Sequence, residues 1–171
     1  MNLSFLHPII NHFTIALFSV AVILDVVGML SRKPTFHEAA RINLYIAGAA
    51  VILTVITGLV ALNTLKHGEE LHEMMESHET LGYVAGGLVF LAALWRILTG
   101  GSFPQKARAL YLALLACGFV AVYVNAFWGG EMAFKYGITS TTYQESIQGE
   151  AGHHHEGQMH EEGESQEPHN H

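Results

Sequence analysis

Four long apolar runs constrain the fold of this chain more than any other feature of its sequence. They cover about residues 9–30, 42–62, 80–98 and 109–128, and crossing a hydrocarbon layer ~30 Å thick takes roughly 20 helical residues. None of them alternates polar with apolar residues, as the strands of a membrane barrel do. Only 13% of the residues are charged, whereas a soluble domain has about a quarter. The sequence therefore predicts an all-α integral membrane protein, a four-helix bundle embedded in a lipid bilayer.

The chain changes character after residue 139. Residues 140–171 are rich in His, Glu and Gly and nearly lack large apolar side chains, so they are unable to bury a core. We expect a four-span transmembrane domain over residues 1–139 and a disordered His/Glu-rich tail over residues 140–171. Histidines of the tail are candidate ligands for Cu, Zn or Ni, namely His153, His154, His155 and His160.

Basic residues indicate how the bundle is oriented. Arg32, Lys33 and Arg41 follow the first run, and Lys106 and Arg108 precede the fourth, whereas the second loop is rich in Glu. Because cytoplasmic loops are enriched in Lys and Arg, we expect both termini and the second loop on the outer side of a bacterial inner membrane. There is no basic patch of the kind that binds nucleic acid.

This orientation places candidate cofactor ligands on the outer side. His7 and His12 begin the first span, His67 ends the second, and His78 begins the third. Two facing imidazoles across a helix bundle are a standard way to hold haem iron, so these four are candidate haem b ligands. We expect His7, directly before Pro8, to flank the first helix and His12 to point into the bundle. Two alternatives are another transition metal and hydrogen bonds that only pack the helix ends.

The second loop allows two interpretations. Leu71, Met74, Met75 and His78 recur at helical spacing, which predicts a short amphipathic helix lying on the membrane interface. Alternatively, His72, Met74 and Met75 provide soft ligands for copper, or His and Glu of this loop provide ligands for zinc.

One carboxylate, Asp25, lies deep in the first span, where a charge needs a partner or must be neutral. We predict a structural ion pair with Arg96 that joins the first and third helices, with Arg41 as the second choice of partner. A role in proton or quinone chemistry is the alternative. No residues resemble a nucleophile with its base, a phosphate loop or paired hydrolytic carboxylates, so we do not expect an enzyme on its own.

Several motifs in order resemble a family of bacterial membrane proteins catalogued as domain of unknown function 2231. The segments that carry the resemblance are Leu6-His7-Pro8 with His12-Phe13, Asp25, Thr57-Gly58-Leu59, His78 with Leu81-Gly82, and the run from Gly129 to Gly137. The resemblance covers roughly residues 3–139 and implies a four-span bundle. It also implies association with redox proteins, because relatives carry cytochrome c-like or Rieske-like modules.

Together these features lead us to expect a redox-associated membrane subunit that holds haem b between His7 or His12 and His78. A cytochrome or another redox protein is the expected partner, and a homo-oligomer is an open alternative. The competing functions are outward-facing handling or sensing of Cu, Zn or Ni, and a purely structural subunit.

Overall fold

The computed structural model describes residues 6–65 and 68–145, without the side chain of Glu70. Its helices are α1 (Leu6–Ser31), α2 (Pro34–Thr64), α3 (Glu69–Leu98) and α4 (Arg108–Phe134), and a short 3-10 helix, Gln105–Ala107, precedes α4. All four long helices have the length and apolar composition that crossing a membrane requires. The predicted all-α, four-helix membrane fold is confirmed.

The four helices form a closed up-and-down bundle. Each packs against the next along the chain, and α4 closes the ring with a smaller contact to α1, so that α1 and α3 stand diagonally opposite. The first turns of α1 and α3 and the last turns of α2 and α4 therefore share one end of the bundle. We call this the histidine end, after His7 and His78, and the opposite end the arginine end, after Arg96.

Apolar side chains fill the bundle and also cover its outside. The core contains the fully buried residues Phe18, Leu44, Val89 and Leu115. Outward-facing Ile23, Ile56, Leu91 and Val120 are each more than half exposed. A bundle in water would carry polar side chains there, whereas in a bilayer this apolar surface contacts lipid.

A tight turn joins α1 to α2 at the arginine end. Arg32 has a positive φ of 56°, the left-handed conformation that commonly ends a helix. Pro34 then starts α2, in the first-turn position where its missing N–H is not needed. Because only Arg32 and Lys33 separate the helices, residues a few positions before and after the turn lie side by side.

Each helix extends beyond the span predicted for it, and at α3 this changes the interpretation. The prediction of a separate interfacial helix is wrong, because residues 69–79 are the first turns of α3 itself. Leu71 and Met75 are buried in a small apolar cluster with Met132 and Ile138. This contact holds the segment against the end of α4, so it continues the helix and does not lie on the membrane surface.

Candidate functional site

A cavity of about 370 Å³ lies between the four helices at the histidine end. This volume falls within the range of small-molecule sites, about 300–1,000 Å³. Most of its wall is apolar, and each helix adds a polar group or a glycine: His7 and Asn11 from α1, Thr54 and Gly58 from α2, His78 and Gly82 from α3, and Asn125 and Gly129 from α4.

His7 is anchored to α2 through one side of its ring. Its Nδ1 lies 3.1 Å from the main-chain oxygen of Thr54 and 3.4 Å from Oγ1 of Thr57. Because a carbonyl oxygen only accepts hydrogen bonds, Nδ1 carries the proton and Nε2 keeps its lone pair. A Cβ at Gly58 would lie 3.0 Å from Cε1 of His7, so glycine at this position makes room for the ring.

His78 is anchored to α4 in the same way. Its Nδ1 lies 3.1 Å from the main-chain oxygen of Asn125, which again leaves the Nε2 lone pair for another partner. A Cβ at Gly129 would lie 2.9 Å from Cε1 of His78. The Oδ1 atom of Asn125 is buried and has no hydrogen-bond partner in the described part of the chain. The cavity therefore holds two histidines in the same tautomeric state.

His12 does not have the orientation that we predicted. It is exposed, and its Nδ1 lies 2.6 Å from the main-chain oxygen of Pro8 in its own helix. His7, predicted to flank the helix, lies within α1 and reaches across to α2. The two predicted orientations are wrong because positions five residues apart differ by about 140° around a helix, and packing turns the face of His7, Thr14 and Phe18 inward. His12 lies at the rim of the cavity.

The candidate metal ligands near the second loop do not meet at one site. His72 is exposed, with Nε2 3.6 Å from a carboxylate oxygen of Glu76, whereas Met74 is half-buried and Met75 is buried in the apolar cluster. Among the described residues, no three His, Cys, Asp or Glu side chains come together to hold a metal ion. Outside the described residues lie His67 and the tail histidines His153, His154, His155 and His160.

At the arginine end, the structure brings Asp25 and Arg96 together in a buried network. Both side chains are only 1% exposed, and Nη1 of Arg96 lies 3.0 Å from each oxygen of Asp25. The hydroxyl of Tyr111 donates to Oδ2 over 2.9 Å, and Nδ1 of His37 lies 2.7 Å from Oδ1. Each of the four helices therefore contributes one side chain to this network.

Further contacts hold the network in place. Nη2 of Arg96 donates to the main-chain oxygen of His37 over 2.9 Å. The ring of Phe103 packs on that of His37, with centroids 4.3 Å apart, and the guanidinium lies 5.8 Å from the ring centroids of Phe103 and Tyr111. Arg41, the second choice of partner for Asp25, pairs with Glu38 of its own helix. The network neutralises the carboxylate and links all four helices.

Sequence reasoning missed most of the residues that position the two histidines and the ion pair. They are His37, Tyr111, Thr54, Gly58, Asn125 and Gly129. A signal exists for His37, because it lies four residues after Lys33 and Asp25 lies seven residues before Arg32, so the short turn keeps both near the same end of the bundle. The others act through a main-chain oxygen, an absent side chain or a single hydroxyl, so their residue types alone do not indicate these roles.

The chain matches the family described as predicted membrane protein (DUF2231) over residues 4–142. No curated protein and no solved structure matches the chain. The family match includes all four helices and both buried polar clusters. This protein therefore belongs to the DUF2231 family of predicted membrane proteins.

Proposed function

We propose that this protein is a redox-associated membrane subunit that holds haem b between His7 and His78. The observation that carries the proposal is that the rings of His7 and His78 have the same tautomer and the same kind of hydrogen-bond partner. Each donates Nδ1–H to a main-chain carbonyl of a neighbouring helix, and both line the same cavity. Histidines that bind a metal usually donate their other ring N–H in this way, which fixes the tautomer and the ring orientation.

The residues around the cavity fit a haem in several respects. His7 and His78 come from the diagonal helices α1 and α3, and facing helices supply the ligands of cofactor sites in bundle cores. Apolar side chains such as Ile15, Val51 and Val122 line the cavity and suit a macrocycle. The described lining residues include no Lys or Arg, so the propionates of a haem would rely on water and neutral donors such as Asn11. When bound, a haem supplies reversible one-electron transfer.

The distribution of charge supports an outward-facing site in a bacterial inner membrane. Arg32, Lys33, Lys106 and Arg108 all lie at the arginine end, and the positive-inside rule assigns such an end to the cytoplasm. The histidine end then faces outward, with both termini on the same side. A haem at this depth would exchange electrons with a cytochrome or another redox protein in the outer compartment.

A difference spectrum tests the haem directly. Full-length protein is purified in detergent, and its dithionite-reduced minus oxidised spectrum is recorded. We expect the α-band of a b-type haem in the wild type, its loss in His7→Ala and in His78→Ala, and its retention in His12→Ala. His12 is the matched control because its ring is exposed and bonded within its own helix. A folded wild-type protein without the α-band would contradict the proposal.

Handling of Cu, Zn or Ni is the rival function, and the same pair of Nε2 lone pairs favours it, because imidazole nitrogen suits all three ions. In that case the purified wild type contains one of these metals in place of haem. Deleting residues 150–171 distinguishes metal binding in the cavity from metal binding by the tail. An unchanged metal titration after this deletion would assign the binding to the bundle, and a lost one would assign it to the tail histidines.

A further inference from the structure

The two helical hairpins, α1–α2 and α3–α4, carry equivalent residues at a constant spacing of 71 positions. The spacing relates the two histidines of the cavity and the two members of the buried ion pair. It also relates the two residues whose main-chain oxygens accept hydrogen bonds from the histidines, and the two glycines that lie against the histidine rings. These pairs are His7 with His78, Asp25 with Arg96, Thr54 with Asn125, and Gly58 with Gly129.

The apolar core repeats at the same spacing. Buried positions of the first hairpin correspond to buried positions of the second, as in the pairs Phe18 with Val89, Ala21 with Ala92, Leu44 with Leu115, and Val51 with Val122. A shift of one residue would rotate a helical position by about 100° and turn these side chains away from the core. The register of the repeat is therefore specific in both helices of each hairpin.

The repeat determines how the two hairpins are related in space. α1 and α3 both begin at the histidine end, so the hairpins run in the same direction and are related by rotation about an axis along the bundle. Asp25 and Arg96 are equivalent positions whose side chains touch, and this axis must pass between them. His7 and His78 are also equivalent and border one cavity, so the axis passes through that cavity as well.

We infer that the bundle is a tandem repeat of one helical hairpin and that its pseudo-twofold axis passes through a single site where His7 and His78 are equivalent ligands of one metal centre. The assignment of that centre as haem iron rests on the proposed function. The equivalence itself rests on the repeat and on the matched hydrogen bonds. With haem bound, His7 and His78 would both be protein ligands of the iron.

Paired substitutions test the equivalence. His7→Met and His78→Met each leave one imidazole and add one thioether, a ligand pair that raises the reduction potential of haem iron. We expect the two variants to have the same spectrum as each other and to shift the midpoint potential upward by the same amount. Loss of the chromophore in one variant with no change in the other would overturn the shared site.

Gly58 and Gly129, which lie against the two histidine rings, provide variants that keep both histidines. Gly58→Ala and Gly129→Ala place a methyl group against a ring, and both are expected to reduce haem content. Circular dichroism of each variant checks that the helices stay folded, so that a loss of haem can be assigned to the contact with the ring. Gly87→Ala, where a Cβ meets no atom within 4 Å, is the control and should keep full haem content. Unchanged haem content in both Gly58→Ala and Gly129→Ala would overturn the placement of the site.

A measurement without a chromophore separates this inference from the proposed function. Long-range ¹H–¹⁵N spectra of full-length, ¹⁵N-histidine-labelled protein in detergent report the tautomer of each ring. We expect His7 and His78 both as the neutral Nδ1–H tautomer, and we expect added Zn²⁺ to shift both signals with the same titration curve. A wild type without haem but with this result overturns only the haem assignment. Different tautomers, or a shift of one signal alone, would overturn the equivalence, and no shift at either would overturn the metal site.

Discussion

Asp25 keeps a charge inside an apolar bundle by using both carboxylate oxygens. Oδ1 interacts with Arg96 and His37, and Oδ2 with Arg96 and Tyr111. Removing a carboxylate and a guanidinium from water costs several kcal/mol each, and such a pair is stable only when its geometry and further hydrogen bonds offset that cost. Replacing one member of the pair should therefore lower the free energy of unfolding more than replacing both members.

We expect Arg96→Met to lower the free energy of unfolding by about 3–5 kcal/mol, because it leaves Asp25 buried without its cationic partner. The double variant Asp25→Leu with Arg96→Met removes both charges and should be more stable than the single variant. Thermal unfolding in detergent, followed by circular dichroism, provides the comparison. Equal unfolding temperatures for the single and double variants would show that the lone carboxylate carries no penalty.

Tyr111 contributes a single hydrogen bond to the same carboxylate. Tyr111→Phe removes the hydroxyl and keeps the ring, so the expected loss of stability is that of one hydrogen bond to a charged group, about 1.5–3 kcal/mol. Tyr83→Phe is the matched control, since Tyr83 is exposed and its hydroxyl donates to Glu79 of the same helix, and surface changes usually stay within about 0.5 kcal/mol. A loss of the same size in both variants would argue against the buried network.

At the scale of the helices, small residues set how closely neighbours approach. A Cβ at Gly48 of α2 would lie only 2.7 Å from Cβ of Ala93 in α3, so the two backbones are in near contact there. Interfaces between membrane helices are enriched in small residues, which let the backbones approach closely. Of the glycines in α3, Gly86 faces Val51 of α2, whereas Gly87 faces open space.

Two glycine-to-alanine changes should therefore have opposite effects. Gly48→Ala forces α2 and α3 apart, and the expected loss of stability is about 1–3 kcal/mol. Gly87→Ala meets no neighbour and should gain up to about 1 kcal/mol through helix propensity. Unfolding temperatures measured in the same detergent compare the two variants directly. A destabilised Gly87→Ala or an unaffected Gly48→Ala would mean that α3 is rotated relative to this arrangement.

At the scale of the whole molecule, the two ends of the bundle differ in charge and in chemistry. The arginine end carries the loop cations and the buried ion pair, and the histidine end carries the cavity. An even number of crossings puts the start of α1 and the end of α4 on the same side of the membrane. Orientation is therefore one binary property, which a single labelling experiment decides.

Cysteine labelling of intact cells tests the orientation. In a Cys117→Ala background, which removes the single native thiol, we expect Thr141→Cys to react with a membrane-impermeant maleimide. Ser102→Cys, at the arginine end, should react only after the membrane is permeabilised, because basic loops stay in the cytoplasm. Both positions are exposed. The reverse labelling pattern would place the histidine end inside.

Much of the architecture follows from local properties of the sequence. Four long apolar runs, in which only Asp25 and Arg96 are charged, can cross a bilayer only as helices, because hydrocarbon offers no partner to an unpaired backbone group. Asp25 in such a run requires a cation, and Arg96 is the basic residue at matching depth on another span. These predictions need only the length, polarity and order of the segments, which are properties of the sequence alone.

The rotation of each helix about its own axis follows from tertiary packing and not from the pattern of its sequence. That rotation brings His7 and not His12 inward, seats the rings on Gly58 and Gly129, and adds His37 and Tyr111 to the ion pair. A helix that is apolar on all sides has no amphipathic pattern to reveal its inner face. Its rotation is set by close packing against its neighbours, so the sequence alone does not show the cavity or which histidines line it.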